Sequence, residues 1–270
     1  MTRLLRSMLA CSLCFGSFGC ERSSETTFDG ADLVGPAALR AHGERLSHVL
    51  GCTGCHGARL EGTPMSKGPG YGPLYASNLT IVVNADSDAE LDEIVRKGIH
   101  PVRKVLWGMP SEIFQNLSDA DFRALLAYLR TLKPSGKPLP PPQFGPSDRR
   151  DIATGRYKSS VLKVQEYRKS QPVELGPKYD LGRYIAMASC TECHGATLQG
   201  DSSVKAPDLI VASGYSRGEF ERLATKGIPL GNRKLDPMMY YIAIGRLSHM
   251  TVHERDALYS YLAERAKTKG

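Results

Sequence analysis

The sequence predicts an all-α chain built as two tandem helical domains. Three observations carry that expectation: an internal repeat, apolar residues recurring at helical spacing behind capping signals, and an aromatic supply too thin for one large core. Only 7% of the 270 residues are Phe, Tyr or Trp, with a single Trp, so either the domains are small or something other than side chains fills their centres. The 41% hydrophobic and 23% charged content is that of an ordinary globular chain and excludes collagen-like, coiled-coil and mostly disordered classes.

The first element is an export segment over residues 1–20. Arg3 and Arg6 precede a short apolar run through Met8, Leu9, Leu13 and Phe15, which ends in small residues at Ser17 and Gly19. That run is too short for a bilayer core of about 30 Å, so cleavage rather than permanent anchoring is expected. Ser17-Phe18-Gly19-Cys20 ahead of Glu21-Arg22-Ser23-Ser24 resembles a bacterial lipoprotein signal, which implies a lipid on Cys20 and residence at a membrane surface outside the cytoplasm. Phe18 departs from that pattern, and ordinary cleavage a few residues later is the alternative. Cys11 and Cys14 form a CxxC with no following His inside the segment expected to be removed. Arg3 and Arg6 also account for two of the seven formal net positive charges. The remaining excess suits loose docking to acidic partner proteins, and no basic cluster interleaved with aromatics suggests nucleic acid.

The first domain is expected over residues 37–133. A helix near residues 36–51 delivers Cys52, and a second over 88–97 ends at Gly98. Ser118 and Asp121 form a capping box for a third, in which Phe122, Leu125, Leu126, Leu129 and Leu132 recur at helical spacing until Pro134. Residues 134–177 differ in kind. They hold eight of the 17 prolines, with Arg149, Arg150, Arg156, Lys158, Lys163, Arg168 and Lys169, and are expected to form a solvated, extended, basic linker, stiff at Pro138, Pro140, Pro141 and Pro142; the alternative is a basic middle that packs across both domains or docks a partner.

The second domain, expected over 178–268, repeats the design. GERLSHVLGCTGCHGARLEG (43–62) aligns with GRYIAMASCTECHGATLQG (182–200), and ELDEIVRKGI (90–99) with EFERLATKGI (219–228). LLAYLRTL (125–132) likewise matches LYSYLAER (258–265). Ser216 with Glu219 and Thr251 with Glu254 cap its later helices, the last presenting Leu258 and Leu262 on one side.

The chemistry lies in the two copies of CxxCH, Cys52-Thr53-Gly54-Cys55-His56 and Cys190-Thr191-Glu192-Cys193-His194. This is the attachment signature of c-type haem: two thiols one turn apart add to the vinyl groups, and the adjacent imidazole meets the iron. A zinc ribbon would place its CxxC pairs about 15–20 residues apart, and a thioredoxin-like motif would need a βαβ context; neither fits. Two covalent haem c groups would also be the large apolar filler that the aromatic content lacks. For the sixth ligand a Met is expected, since a soft thioether favours reduced iron. Met109, in Trp107-Gly108-Met109-Pro110, is the candidate for the first iron, with His100 as a rival and Met65 too close to the motif to reach around the ring. The second offers Met238, Met239 and Met250, with His249 beyond them. The interval from Gly98 to Met109, counted from Gly227, lands on Met238, and Met250 aligns with the apolar Leu117.

With these motifs in place, the chain resembles the dihaem members of the class I cytochrome c superfamily, including the cytochrome subunits of membrane-bound dehydrogenases, over about residues 37–133 and 178–266. Asn78-Leu79-Thr80, LSDADFRALLAYL from Leu117 and Met109-Pro110 carry the likeness in the first domain. In the second it is Met239 ahead of YYIAIGRLSHMT, and the resemblance is what puts Met239 ahead of Met238 and Met250. It implies axial pairs His56 with Met109 and His194 with Met239, both irons six-coordinate. In the family a Pro carbonyl often orients the proximal His; Pro207 fits, while Ser77 stands in the corresponding place of the first domain. The implied function is a non-enzymatic one, a periplasmic carrier of single electrons between redox partner proteins, with no acid/base or nucleophile constellation beside the iron sites. Alternatives are a dedicated subunit of a dehydrogenase or oxidase complex, and a dihaem peroxidase-like enzyme with one open iron position.

Overall fold

Two helix crossings organise the molecule, and each depends on a glycine. The computed structural model describes residues 25–65, 68–231 and 233–268; the expected export segment with Cys11, Cys14 and Cys20 lies outside the described residues. In the first half, α1 (Pro36–Val49) leads into a one-turn helix α2 (Cys52–His56), and α6 (Asp119–Leu129) returns across α1. At that crossing a Cβ on Gly43 would lie 1.9 Å from the carbonyl oxygen of Ala124. In the second half, α9 (Asp180–Ser189) leads into the single turn α10 (Thr191–His194), and the closing helix α13 (Val252–Lys267) packs back on α9. There a Cβ on Gly182 would lie 2.2 Å from Ala257 O. Gly43 and Gly182 are equivalent positions of the sequence repeat, so the repeat encodes a helix contact too close for any side chain. Gly43→Ala is expected to destabilise the protein by about 2 kcal/mol, because the clash is with backbone that cannot rotate away; chemical denaturation of the two proteins measures it.

Between these frames lie the smaller elements. The first half adds the antiparallel pair β1 (Thr63–Met65) and β2 (Leu74–Ala76), with Pro64 opposite Tyr75, then α3 (Leu79–Val82) and α4 (Asp88–Lys97). The two-residue strands β3 (Ile99–His100) and β4 (Lys104–Val105) and the short α5 (Ser111–Phe114) precede α6. The second half adds 3-10 turns at Leu209–Gly214 and Leu247–His249, with α11 (Arg217–Lys226) and α12 (Pro237–Gly245) between them. Helices dominate, and the two strand pairs are the only regular additions to the all-α expectation among the described residues.

Most expected caps form. Glu219 closes a capping box on Ser216 at α11, and Glu254 closes one on Thr251 at α13. The Ser118–Asp121 box does not close. Ser118 Oγ accepts the Asp121 amide at 3.0 Å, but the Ser118 amide donates to Tyr184 Oη of α9 at 3.0 Å, and of Ser118 the Asp121 carboxylate meets only the hydroxyl, at 2.9 Å. A tertiary contact has replaced half of a local motif.

The segment over residues 134–177 corrects the expectation of an extended linker. Its proline-rich start is irregular, but α7 (Pro146–Ala153) and α8 (Ser160–Lys169) follow, α7 starting at a proline and α8 capped by Ser159. The basic residues are partly committed: Lys163 pairs with the buried Glu112 of α5 at 2.7 Å, and Arg168 Nε donates to Gln115 at 3.1 Å. Tyr167 Oη reaches Thr191 O in the second half at 3.2 Å. Arg156 and Lys158 pair with Asp151 and Glu166 of the segment itself, at 2.7 and 2.6 Å, so among the described residues only Lys163 takes its acid from outside it.

A third contact between the halves is the strap ahead of α1. Phe28 is buried against Tyr184, ring centroids 5.2 Å apart, and its amide donates to Asp121 Oδ2 at 2.9 Å. Asp29 binds Thr251 and, at 3.0 Å, His253 of α13. The Asp29 hydrogen bond raises the His253 pKa, whereas burial works to raise Asp29 and is outweighed by the Thr251 and His253 hydrogen bonds, which lower it. The His253 contribution is therefore complete below its unfolded pKa of about 6.5 and is lost as pH rises through the folded value. The Asp29 contribution is present above about pH 3.9 and is lost as pH falls through its lowered value. Because His253 is largely exposed, the effect is small. His253→Asn is expected to lower the Tm slightly near pH 5.5 and to match the parent near pH 9, as followed by thermal melts across that range.

Candidate functional site

The CxxCH turns are placed by the helices that precede them. In α2 the thiols of Cys52 and Cys55 sit three residues apart on one face of a single turn, and Cys190 and Cys193 do the same at α10. His56 donates Nδ1–H to Ser77 O at 2.7 Å, and His194 donates Nδ1–H to Pro207 O at 2.7 Å. Both bonds leave Nε2 as the free lone pair and fix the ring plane.

The residue type at 77 proves immaterial, since a carbonyl is what the imidazole needs. Each carbonyl precedes a capping Asx residue held by long-range bonds. Asn78 accepts from the Thr80 amide at 3.0 Å and donates to Ser135 O at 2.7 Å; Asp208 accepts from the Ile210 amide and from Arg265, each at 2.9 Å. The departure seen at Ser77 therefore does not loosen His56.

Burial lowers the pKa of both histidines, outweighing the backbone bonds, so both rings are neutral near pH 7. Burial pushes the Cys52 and Cys190 thiols up to about 11, and raises Cys55 and Cys193 as well, Glu192 adding to it. All four are protonated thiols near neutrality, and slow to attack as thiolates.

Met109 sits in a loop clamped from outside by the segment between the halves. Ser160 Oγ donates to Met109 O at 2.6 Å, and the Ser160 amide donates to Leu106 O at 2.9 Å. Trp107 packs edge-on to Phe144, with centroids 5.2 Å apart. Met239 lies in the first turn of α12, which Asp236 caps by accepting the Met238 amide at 2.8 Å. Met239 is half-buried against the core, whereas Met238 is 63% exposed. Met250 belongs to the core, as does its repeat partner Leu117. His100 turns its Nδ1 to the amides of Val102 and Arg103, and His249 stacks on His48 at 4.3 Å.

One continuous cavity of about 1160 Å³ gathers these groups. Cys52, Cys55, His56 and Met109 line it together with Cys190, Cys193, His194 and Met239; Met65 and Met238 reach it too, while His100, Met250 and His249 do not. Its volume exceeds the roughly 300–1,000 Å³ of a single small-molecule site. The donor set, paired thiols beside a neutral imidazole with a thioether across an apolar space, has the chemistry of covalent haem ligation. The comparison with known families agrees. Residues 41–133 match the Cytochrome c family. They form a cytochrome c domain.

A cytochrome c domain implies covalently bound haem c and electron transfer. The chain is also similar to a nicotinate dehydrogenase subunit of Pseudomonas putida, 24% identical over 225 residues that cover 77% of this chain and 18% of that protein. The chain thus spans under a fifth of that relative's length. Among the described residues no helix is long and apolar enough to cross a membrane.

Two residues of the site were not legible beforehand. Arg246 and Glu192 line the same cavity and are ion-paired at 2.9 Å between the two CxxCH turns. Glu192 stands at a variable position of its motif, and nothing in the spacing around Arg246 marks it.

Proposed function

We propose that the chain is an exported dihaem c-type cytochrome that carries single electrons between redox partner proteins. The observation that carries this reading is the duplication of one device: a CxxCH turn behind a glycine-crossed helix, with its His Nδ1 bound to a carbonyl at 2.7 Å, twice on one cavity. In this reading Cys52 and Cys55 anchor one haem c and Cys190 and Cys193 the other. His56 with Met109, and His194 with Met239, are the axial pairs. Haem, when bound, supplies a one-electron Fe(III)/Fe(II) couple.

The chain's own residues do the rest. The carbonyls of Ser77 and Pro207 make each imidazole more basic and stop it rotating. The apolar walls exclude water, and the Met109 loop, braced by Ser160, holds its thioether without rearrangement between oxidation states. Little reorganisation is what single-electron exchange requires. The composition of residues 1–20 supports export, with a lipid on Cys20 as the anchor. The likeness to the nicotinate dehydrogenase protein supports a second reading, in which the chain is the electron-transfer unit of a dehydrogenase complex.

The holoprotein purified from a host that matures c-type cytochromes is expected to contain two haems per chain by pyridine haemochrome assay, low-spin, with no carbon monoxide adduct. One haem per chain would overturn the dihaem reading, and peroxide turnover with carbon monoxide binding would favour a peroxidase. Co-purification with a dehydrogenase or oxidase would decide for the dedicated-subunit reading.

A further inference from the structure

We propose that Arg246 is an inter-haem positioning residue whose buried guanidinium locks the two haem-attachment turns together and raises the reduction potential of both irons, an inference that rests on the two-haem reading above.

The geometry is specific. Arg246 follows α12, in the second half of the chain, and is only 6% exposed. Its Nε donates to Val49 O at 3.2 Å and its Nη2 to Leu50 O at 3.1 Å, the carbonyls at the end of α1 immediately before the first CxxCH turn. Its Nη1 donates to Glu192 Oε2 at 2.9 Å, inside the second CxxCH turn. One planar cation therefore closes the buried C-terminus of the helix that presents one motif and grips a side chain of the other.

The first turn is shaped to receive it. Gly51 has φ +78°, and a Cβ there would lie 2.8 Å from the guanidinium carbon of Arg246. Gly54, inside the motif, faces Tyr241 of α12, whose ring carbon would be 3.5 Å from an added Cβ. Gly51 thus makes room for the guanidinium, while Tyr241, from the element bearing Met239, lies against the first attachment turn at ordinary contact distance. The two turns face each other across Arg246, which binds the carbonyls leading into one and Glu192 inside the other.

A fixed cation there has a definite consequence. Oxidation of each iron adds a positive charge, which a neighbouring buried cation opposes, and burial prevents the screening that would erase the effect at a surface. Glu192 offsets part of that charge, so the two residues act with opposite sign.

Spectroelectrochemical titration of the full-length holoprotein tests this, with haem content per chain measured first. One haem in the parent protein would remove the two-haem reading before any variant is compared. With two haems bound, Arg246→Gln is expected to make reduction of each iron about tenfold less favourable, a downward shift of about 59 mV for a one-electron couple. Arg246→Lys, which retains the charge, is expected to hold both potentials within threefold in reduction constant, and Glu192→Gln to shift both upward. Unchanged potentials in Arg246→Gln, or movement of one iron alone, would overturn the proposal. If Arg246→Gln does not accumulate as holoprotein, Glu192→Gln decides: an upward shift at both irons supports the proposal and no shift overturns it.

Discussion

Met109→Ala holoprotein is expected to lose half of the methionine–iron charge-transfer intensity in the near infrared, to gain one carbon monoxide site per chain, and to retain both haems. In the proposed two-haem reading the haems stay because their anchors, Cys52 and Cys55 with Cys190 and Cys193, are untouched by the substitution. Removing a soft thioether withdraws the ligand that favours reduced iron, so reduction at that iron should become on the order of 100-fold less favourable, about 120 mV for one electron. The backbone of the loop should not collapse, because Ser160 holds Met109 by its carbonyl oxygen and not by its side chain. Met239→Ala is expected to remove the other half of the signal. Met238→Ala is the control: it is 63% exposed, against a half-buried Met239, and both charge-transfer signals should survive its removal. A signal lost in Met238→Ala and retained in Met239→Ala would exchange their roles.

Asp121→Ala is expected to cost about 3–5 kcal/mol of stability, the largest effect of any single substitution away from the haem ligands. The carboxylate is fully buried and accepts bonds from four groups. These are His42 Nε2 at 2.8 Å, the Phe28 amide at 2.9 Å, Ser118 Oγ at 2.9 Å and Tyr184 Oη at 2.7 Å. They come from α1, the N-terminal strap, the start of α6 and α9. Truncation leaves all four donors dry and unpaired, and the cost is their desolvation rather than one lost bond. Asp121→Asn should cost less, since its amide oxygen can still accept two of the bonds. The m-value of urea unfolding gives a second readout: if the hub couples the halves, Asp121→Ala should split one unfolding transition into two. A loss under 1 kcal/mol with a single transition would show that the halves are held together without it.

These two sites differ in how far the sequence foretells them. Met109 is legible because a Gly/Pro-bounded loop ahead of a capped helix is a local pattern. The CxxCH turns are legible for the same reason, since thiols three residues apart share a face in any helical turn. Asp121 reads locally as half of a capping box with Ser118, and that reading is half right: the Ser118 bond forms, and the returning bond goes to Tyr184, 66 residues away. The segment over residues 134–177 misleads in the same manner. Its prolines and like charges describe a solvated linker until Glu112 and Gln115 supply the partners for α8.

By itself the sequence determined what short range can hold: two CxxCH motifs, the helices that carry them, most of the caps and the glycines that repeat at equivalent positions. Tertiary structure decided that Ser77 serves His56 as well as Pro207 serves His194, which loop is braced by Ser160, and that both motifs open onto one cavity. It also brought Arg246 to Val49 and Leu50 across 197 and 196 residues of chain. Periodicity and spacing are properties of neighbours along the backbone, where a few dihedral angles fix every distance. A contact between residues this far apart depends on the whole intervening path, and no local pattern records it.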